Sequence, residues 1–266
     1  MRSLPHAKQR MVKQVVITRP LAQAKPLAQR VAGMGREAVV FPLLEILPLA
    51  DQAPLRAALR DLSGYALVAF VSPNAIDAAL SVLQRWPADV AIGIVGEGSR
   101  QALARHGVTA SNATIIGPQD PHRMDSQALL EALDLDALRP RHVLIVRGET
   151  GRELFSDALI AAGIKVTTIA AYRRTAPLLD QGRRIQLEQL LTARNDWVIT
   201  SSEALRVLIQ MVEQLADSDG VMKLQQQNLI VPHARIAETA QLLGFPNITL
   251  TVSGDEHILA ALQSKA

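Results

Sequence analysis

Six short segments of this 266-residue chain place small, hydroxyl-bearing or cationic residues directly after runs of Val, Ile and Leu. They are Thr18-Arg19-Pro20, Ser72-Pro73-Asn74, Gly96-Glu97-Gly98-Ser99, Arg147-Gly148-Glu149, Thr200-Ser201-Ser202 and Pro232-His233-Ala234-Arg235. A helical pattern follows each of them. A chain turning from strand to helix there presents unbonded backbone N–H groups and the positive end of a helix dipole. Such a terminus holds carboxylate or phosphate oxygens. Ser72, Asn74, Gly98, Ser99, Gly148, Ser201, Ser202, His233 and Arg235 are therefore candidates for binding an anionic ligand. Arg19 and Arg147, each at a strand end, could fork onto its carboxylates. The same residues also have a structural reading: Ser and Asn cap helices with no ligand near, and the two arginines could pair with Glu45 or Glu149. Glu97 and Glu149 would repel an anion, so not every loop can face one.

The sequence lacks the signatures of a bound catalyst. Gly96-Glu97-Gly98 opens like a dinucleotide-binding GxGxxG, but Gln101 stands where the third glycine belongs. There is no Walker loop, and His6, His106, His122, His142, His233 and His257 show no metal-ligand spacing. With no cysteine there is no disulfide, thiolate zinc site or cysteine nucleophile. No carboxylate pair or Ser/His/Asp set is recognisable. Neither cofactor nor metal is expected, and the chemistry that fits is one where the protein holds a reactive substrate in one conformation.

The elements that must position these loops occur twice. VVITRPLAQAKPLAQRVAGMGREAVVFPLLEI at 15–46 matches VLIVRGETGRELFSDALIAAGIKVTTIAAYRR at 143–174, with Arg19 on Arg147 and Gly35 on Gly163, an offset of 128. FVSPNAIDAAL around Ser72 matches VITSSEALRVL around Ser201 at an offset of 129, and IVGEGSRQALARHG matches IVPHARIAETAQLLG. Strands are expected at 15–19, 38–46, 66–72, 91–96, 113–117, 142–147, 165–174, 197–201, 229–232 and 248–252. Helices are expected at 21–31, 74–83, 99–105, 126–133, 152–161, 183–191, 202–215, 234–243 and 255–263, with Ser126 and Asp255 as caps. Alternation of this kind predicts parallel sheets with ligand loops beyond the strands' carboxyl ends. Two such units facing each other would form a cleft.

The runs 38–46 and 165–174 are overlong, occupy equivalent places in the repeat and end in polar, proline-bearing stretches. They suit connectors between domains; the alternative is two sequential domains split at Arg139-Pro140-Arg141. Segment 217–227 reads as a soft loop. Hydrophobic residues make up 48% but aromatics only 3%, a palette suited to buried parallel strands flanked by Ala/Leu helices. Apolar runs are strand-length, so no membrane span is expected. The first residues form a basic arm without a signal peptide's apolar region, which reads as cytoplasmic. The net charge of +3 fits an anionic ligand. Dispersed cations and scarce aromatics argue against nucleic acid.

The ITRP opening, FVSPNA, VITSSEAL, VGEGSRQAL, VLIVRGETGRELFSDAL, AAYRRT and VPHARIAETAQLLGF, in this order and spacing, resemble the uroporphyrinogen-III synthase family over about 15–263. The resemblance implies two flavodoxin-like α/β domains joined by a two-stranded β linker, one combining 1–44 with 174–266 and the other 45–173. It implies cyclisation of hydroxymethylbilane, a linear tetrapyrrole with acetate and propionate on every ring. Loss of the terminal hydroxyl gives an azafulvene, and attack through the last pyrrole's substituted carbon gives a spiro intermediate. That intermediate breaks and recloses with the ring inverted, whereas uncatalysed closure leaves it uninverted. Tyr172 matches the family's linker tyrosine, a candidate to assist hydroxyl departure or, equally, to pack a domain junction. His233 and Arg235 depart from the Ser/Thr usual in that loop. A monomer receiving substrate from hydroxymethylbilane synthase is implied. The rival readings are a non-catalytic two-lobed binding protein and a nucleic-acid scaffold.

Overall fold

The computed structural model describes residues 13–83, 85–120, 123, 125–151 and 153–264. The basic arm before Lys13, together with His6, His122 and Arg152, lies outside the described residues. In chain order the elements begin β1 (Val15–Ile17), α1 (Leu21–Gly33), β2 (Ala38–Val40), β3 (Glu45–Pro48), α2 (Ala53–Arg60), β4 (Leu67–Phe70), α3 (Pro73–Leu80), β5 (Ala91–Ile94) and α4 (Glu97–Arg105). Next come β6 (Ile115–Ile116), α5 (Ser126–Ala132), α6 (Leu135–Leu138), β7 (His142–Gly148), α7 (Leu154–Ala161), β8 (Lys165–Thr175) and α8 (Gln181–Leu191). The last are β9 (Asp196–Val198), α9 (Ser202–Glu213), α10 (Gly220–Gln225), β10 (Asn228–Val231), α11 (Ala234–Leu242), β11 (Ile248–Leu250) and α12 (Asp255–Gln263).

The chain divides into two compact units: the segment ending at Glu45 with the one beginning at Ala176, and Ile46–Thr175. Arg139, Pro140 and Arg141 lie inside the second unit. The first sheet has the order β11-β10-β9-β1-β2, with parallel neighbours throughout. The second has the order β3-β8-β7-β4-β5-β6, parallel from β8 to β6. Registers repeat at the sequence offsets. Val15 pairs with Ala38 as Val143 pairs with Val166, and Val15 pairs with Asp196 as Val143 pairs with Leu67.

Central strands are mostly apolar because both faces are covered, and successive side chains enter opposite layers. Val16 and Trp197 join one cluster with Phe41, Leu205 and Leu208, while Val15, Ile17 and Val198 join another with Leu27, Val31 and Ile258. In the second unit Val68, Phe70 and Leu144 pack with Ile76 and Leu103, while Leu67, Ala69 and Val143 pack with Leu129 and Leu159.

The expected strand 38–46 is two strands in two sheets. Phe41 N–H donates to Ile17 O and Leu43 N–H to Thr18 O, but Pro42 between them has no N–H to continue a ladder. Phe41, Leu43 and Leu44 are then buried in the first unit's core before β3 joins the second sheet beside β8. The expected soft loop 217–227 contains α10, held by buried Leu224 and by Val221 against the same core. Helix α2 arises in a stretch read as polar and proline-rich: Pro54 sits in its first turn, where no N–H is needed, and Leu55 and Leu59 bury one face. The short α6 was also not anticipated. Two caps are corrected. Asp125, not Ser126, accepts the Ala128 N–H at 2.9 Å. Gly254 precedes α12, and Asp255 spends its carboxylate on Arg19 rather than on a cap.

Candidate functional site

In the second unit, the carboxyl ends of β4, β5 and β7 lead into the loops before α3, α4 and α7. Ser72 caps α3: its Oγ accepts the Ala75 N–H at 3.2 Å and lies 3.1 Å from the Tyr172 hydroxyl. Tyr172, on β8, is 5% exposed, with its ring in the core that holds Phe70 and Ile76. Gly148 faces it across a bulge in the β7/β8 register. A Cβ on Gly148 would stand 3.0 Å from Tyr172 Cζ and 3.2 Å from its Oη, so only glycine lets the phenol lie there. Tyr172 O also accepts the Glu149 N–H at 2.8 Å, tying the loop to the strand.

Asn74 lies in the first turn of α3, and Gly98 in the first turn of α4 next to Pro73, 3.5 Å from where a Cβ would be. Ser99 is buried in the same turn, and its Oγ has no hydrogen-bond partner among the described residues. Arg147 is 7% exposed and does not pair with Glu149; Nη1 donates to Glu153 Oε1 at 2.7 Å. The Ser156 hydroxyl and then Arg147 hold the Glu153 carboxyl below the usual range.

The first unit repeats this arrangement with different side chains. Ser201 caps α9, accepting the Ala204 N–H at 3.0 Å. Ser202 Oγ is 2.9 Å from Thr239 Oγ1, so its hydroxyl joins α9 to α11. His233 takes the place of a Ser/Thr cap, with Nδ1 accepting the Arg235 N–H at 3.3 Å, and the Arg235 side chain is exposed. Arg19 pairs through Nη1 with Asp255 at 2.5 Å, not with Glu45. The structure thus gathers Ser72, Asn74, Gly98, Ser99, Arg147, Gly148 and Tyr172 at one sheet's carboxyl edge. It gathers Arg19, Ser201, Ser202, His233 and Arg235 at the other's.

Sequence reasoning missed three contributors. Asp255 and Glu153 stand at helix starts, where acids are favoured, but that signal does not tie them to the arginines. Arg183 has no comparable signal. Its guanidinium lies 4.4 Å over the Phe41 ring and donates to Pro42 O at 2.6 Å, while Nε is buried without a partner among the described residues. Burial lowers its pKa.

No group of three or more acidic, histidine or cysteine side chains converges to hold a metal among the described residues. No helix among them is long and apolar enough to cross a membrane. Because Ser201 caps α9 through one neutral hydrogen bond, Ser201→Ala should lower the first unit's stability by about 1 kcal/mol. Urea denaturation measures this, and a loss several times larger would mean that the hydroxyl does more than cap.

Parallel α/β sheets with helix N-termini collected at their carboxyl edges define a fold of the kind that holds anionic small molecules. Comparison with known proteins gives the family. The family model for uroporphyrinogen-III synthase HemD matches residues 25–259. The chain is 31% identical over 257 residues to the uroporphyrinogen-III synthase of Escherichia coli K12, covering 94% of this chain and 99% of that one. It is 32% identical over 254 residues to the enzyme of Salmonella typhimurium LT2, with coverage of 94% and 99%. The crystal structure of uroporphyrinogen-III synthetase from Helicobacter pylori 26695 matches with TM-score 0.64 at 14% identity, over 96% of this chain and 100% of that one. A mutant uroporphyrinogen III synthase from the extremely thermophilic bacterium Thermus thermophilus matches with TM-score 0.56 at 14% identity, covering 94% and 98%. These two likenesses concern the fold alone. The chain belongs to the uroporphyrinogen-III synthase family.

Proposed function

We propose that this chain is a cyclising lyase that closes hydroxymethylbilane to uroporphyrinogen III, inverting the terminal pyrrole through a spiro intermediate. Family membership supports the reaction, and the Tyr172–Ser72 hydroxyl pair at the start of α3 carries the mechanism. Ser72 Oγ already accepts the Ala75 N–H, and its own proton can turn to the Tyr172 oxygen. In that orientation the phenol's proton is free for the substrate's terminal hydroxyl, which leaves as water. The hydrogen bond from Ser72 then stabilises the phenolate until a substrate proton returns. The ring closure, spiro cleavage and reclosure need no oxidant or reductant, so the reading requires no cofactor.

Acetate and propionate groups on every ring suit the helix N-termini at Ser72, Asn74, Gly98, Ser99, Ser201, Ser202, His233 and Arg235, together with the strand end at Gly148. Arg19 and Arg147 add cationic charge that Asp255 and Glu153 share. We read the units as duplicated flavodoxin-like domains, 1–44 with 174–266 and 45–173, joined by the neighbouring strands β3 and β8. The repeated registers support that reading. A monomer in the cytoplasm that takes the bilane from hydroxymethylbilane synthase belongs to the same proposal, because free bilane closes on its own to the uninverted isomer.

The test is direct. Protein dialysed against chelator is given hydroxymethylbilane, the product is oxidised, and type III and type I porphyrins are separated by chromatography. Type III product is expected. Type I alone at every protein concentration would leave the non-catalytic binding protein as the better reading.

A further inference from the structure

The opposite edge of the second sheet, at the amino ends of β7 and β8, carries a pocket of about 430 Å³ lined by Gly64, Arg139, Arg141, His142, Gly163 and Lys165. We propose that this pocket binds a compact oxyanion of the phosphate class through Arg139, Arg141 and Lys165. Three cations converge there. Asp136 pairs with Arg139 at 2.9 Å, while no acidic side chain pairs with Arg141 or Lys165 among the described residues. Arg139 Nε is anchored on Ala162 O at 3.1 Å, and its stem lies 3.6 Å from where a Cβ on Gly163 would stand, so that guanidinium is held in place.

The first unit supplies an internal comparison. By the repeat offset, Arg141, His142 and Lys165 correspond to Lys13, Gln14 and Glu37, and Leu67 corresponds to Asp196. There the one equivalent cation is neutralised within the fold: Lys13 reaches Asp196 at 2.7 Å, while the neutral Gln14 donates through Nε2 to Glu37 at 2.6 Å. In the second unit a lysine replaces one carboxylate and a leucine the other. Arg141 keeps the charge of Lys13 without its built-in counter-ion, and Lys165 adds a second cation. Charge-assisted bonds from an outside oxyanion would take their place.

His142 reports on the pocket. Its ring is 4.7 Å from the Tyr65 ring, and Nε2 is 2.8 Å from Thr167 Oγ1. Lys165 pairs with it across the strands, Arg141 precedes it, and Arg139 with Asp136 stands on the turn before. Burial first, and then Lys165, lower its pKa. A bound oxyanion offsets Lys165 and should raise it.

The experiment titrates the full chain with pyrophosphate, against sodium chloride at matched ionic strength, and follows the His142 ring resonances by NMR. Saturable shifts and a rise in the His142 pKa are expected with pyrophosphate alone. The double variant Arg141→Gln/Lys165→Gln should bind about tenfold or more weakly. It should keep its melting temperature and its product isomer ratio, because both side chains are exposed. Equal responses to chloride, or unchanged affinity in the double variant, would overturn the proposal. ATP and tripolyphosphate identify the source: equal affinity supports a free oxyanion, and tighter ATP binding supports a phosphate tail carried by a nucleotide.

Discussion

Asp196→Ala should destabilise the first unit by about 3–5 kcal/mol, because it leaves the largely buried Arg36 guanidinium without its counter-charge. Asp196 is fully buried on the first strand after α8. One oxygen accepts Lys13 Nζ at 2.7 Å and Asn228 Nδ2 at 3.1 Å, and the other accepts Arg36 Nη2 at 2.8 Å. Lys13 can swing out to water, being one-third exposed, but Arg36 is only 11% exposed and cannot. Calorimetry should show a drop of roughly 10–20 °C in that unit's transition. The second unit provides the control, since Ile164 and Leu67 occupy the positions equivalent to Arg36 and Asp196 and pack in one apolar cluster. A buried ion pair exchanged for apolar residues of similar volume is often neutral. Arg36→Ile/Asp196→Leu should therefore recover most of the loss, short of the bond that Asn228 forfeits. An unchanged melting temperature in Asp196→Ala would mean that these charges are solvated rather than bound to one another.

The same pair of positions explains what could and could not be read from the sequence. The offset of 128 between Arg19 and Arg147 is carried into strand register, because pairing follows from which apolar residues must face the same layer. What each repeat does with its polar positions is not carried over: Asp196 in one is Leu67 in the other. The caps Ser72 and Ser201 were legible, since a cap is a local arrangement of about four residues. The partners of Arg19 and Arg147 were not. Arg19 meets Asp255 from 236 residues away, and only the folded β1 and α12 bring them together. The break at Pro42 was written in the sequence, but a long apolar run hid it. Tyr172 came from family resemblance rather than from any local pattern. Its neighbour Ser72 is 100 residues distant, a pairing that only the sheet order makes.

Tyr172→Phe should slow turnover by roughly tenfold to a few hundredfold, at or below the lower part of the usual range for general-acid help. The azafulvene can form without strong acid, which limits what the phenol contributes. Phenylalanine keeps the ring against Gly148 and the core, and Ser72 keeps the Ala75 N–H, so α3 stays capped. Stability should change little, which separates this variant from one that merely unpacks the unit. Gly148→Ala supplies the complement. Its new methyl would lie 3.0 Å from Tyr172 Cζ, displacing the hydroxyl from Ser72 without removing it, and the rate should fall there too. In Tyr172→Phe the product should remain largely type III, because ring inversion depends on how the carboxylates are held rather than on one proton. A Tyr172→Phe protein with an unchanged rate would assign this residue to packing alone. Normal turnover with release of type I product would show instead that the hydroxyl governs geometry, and the acid role would have to be given up.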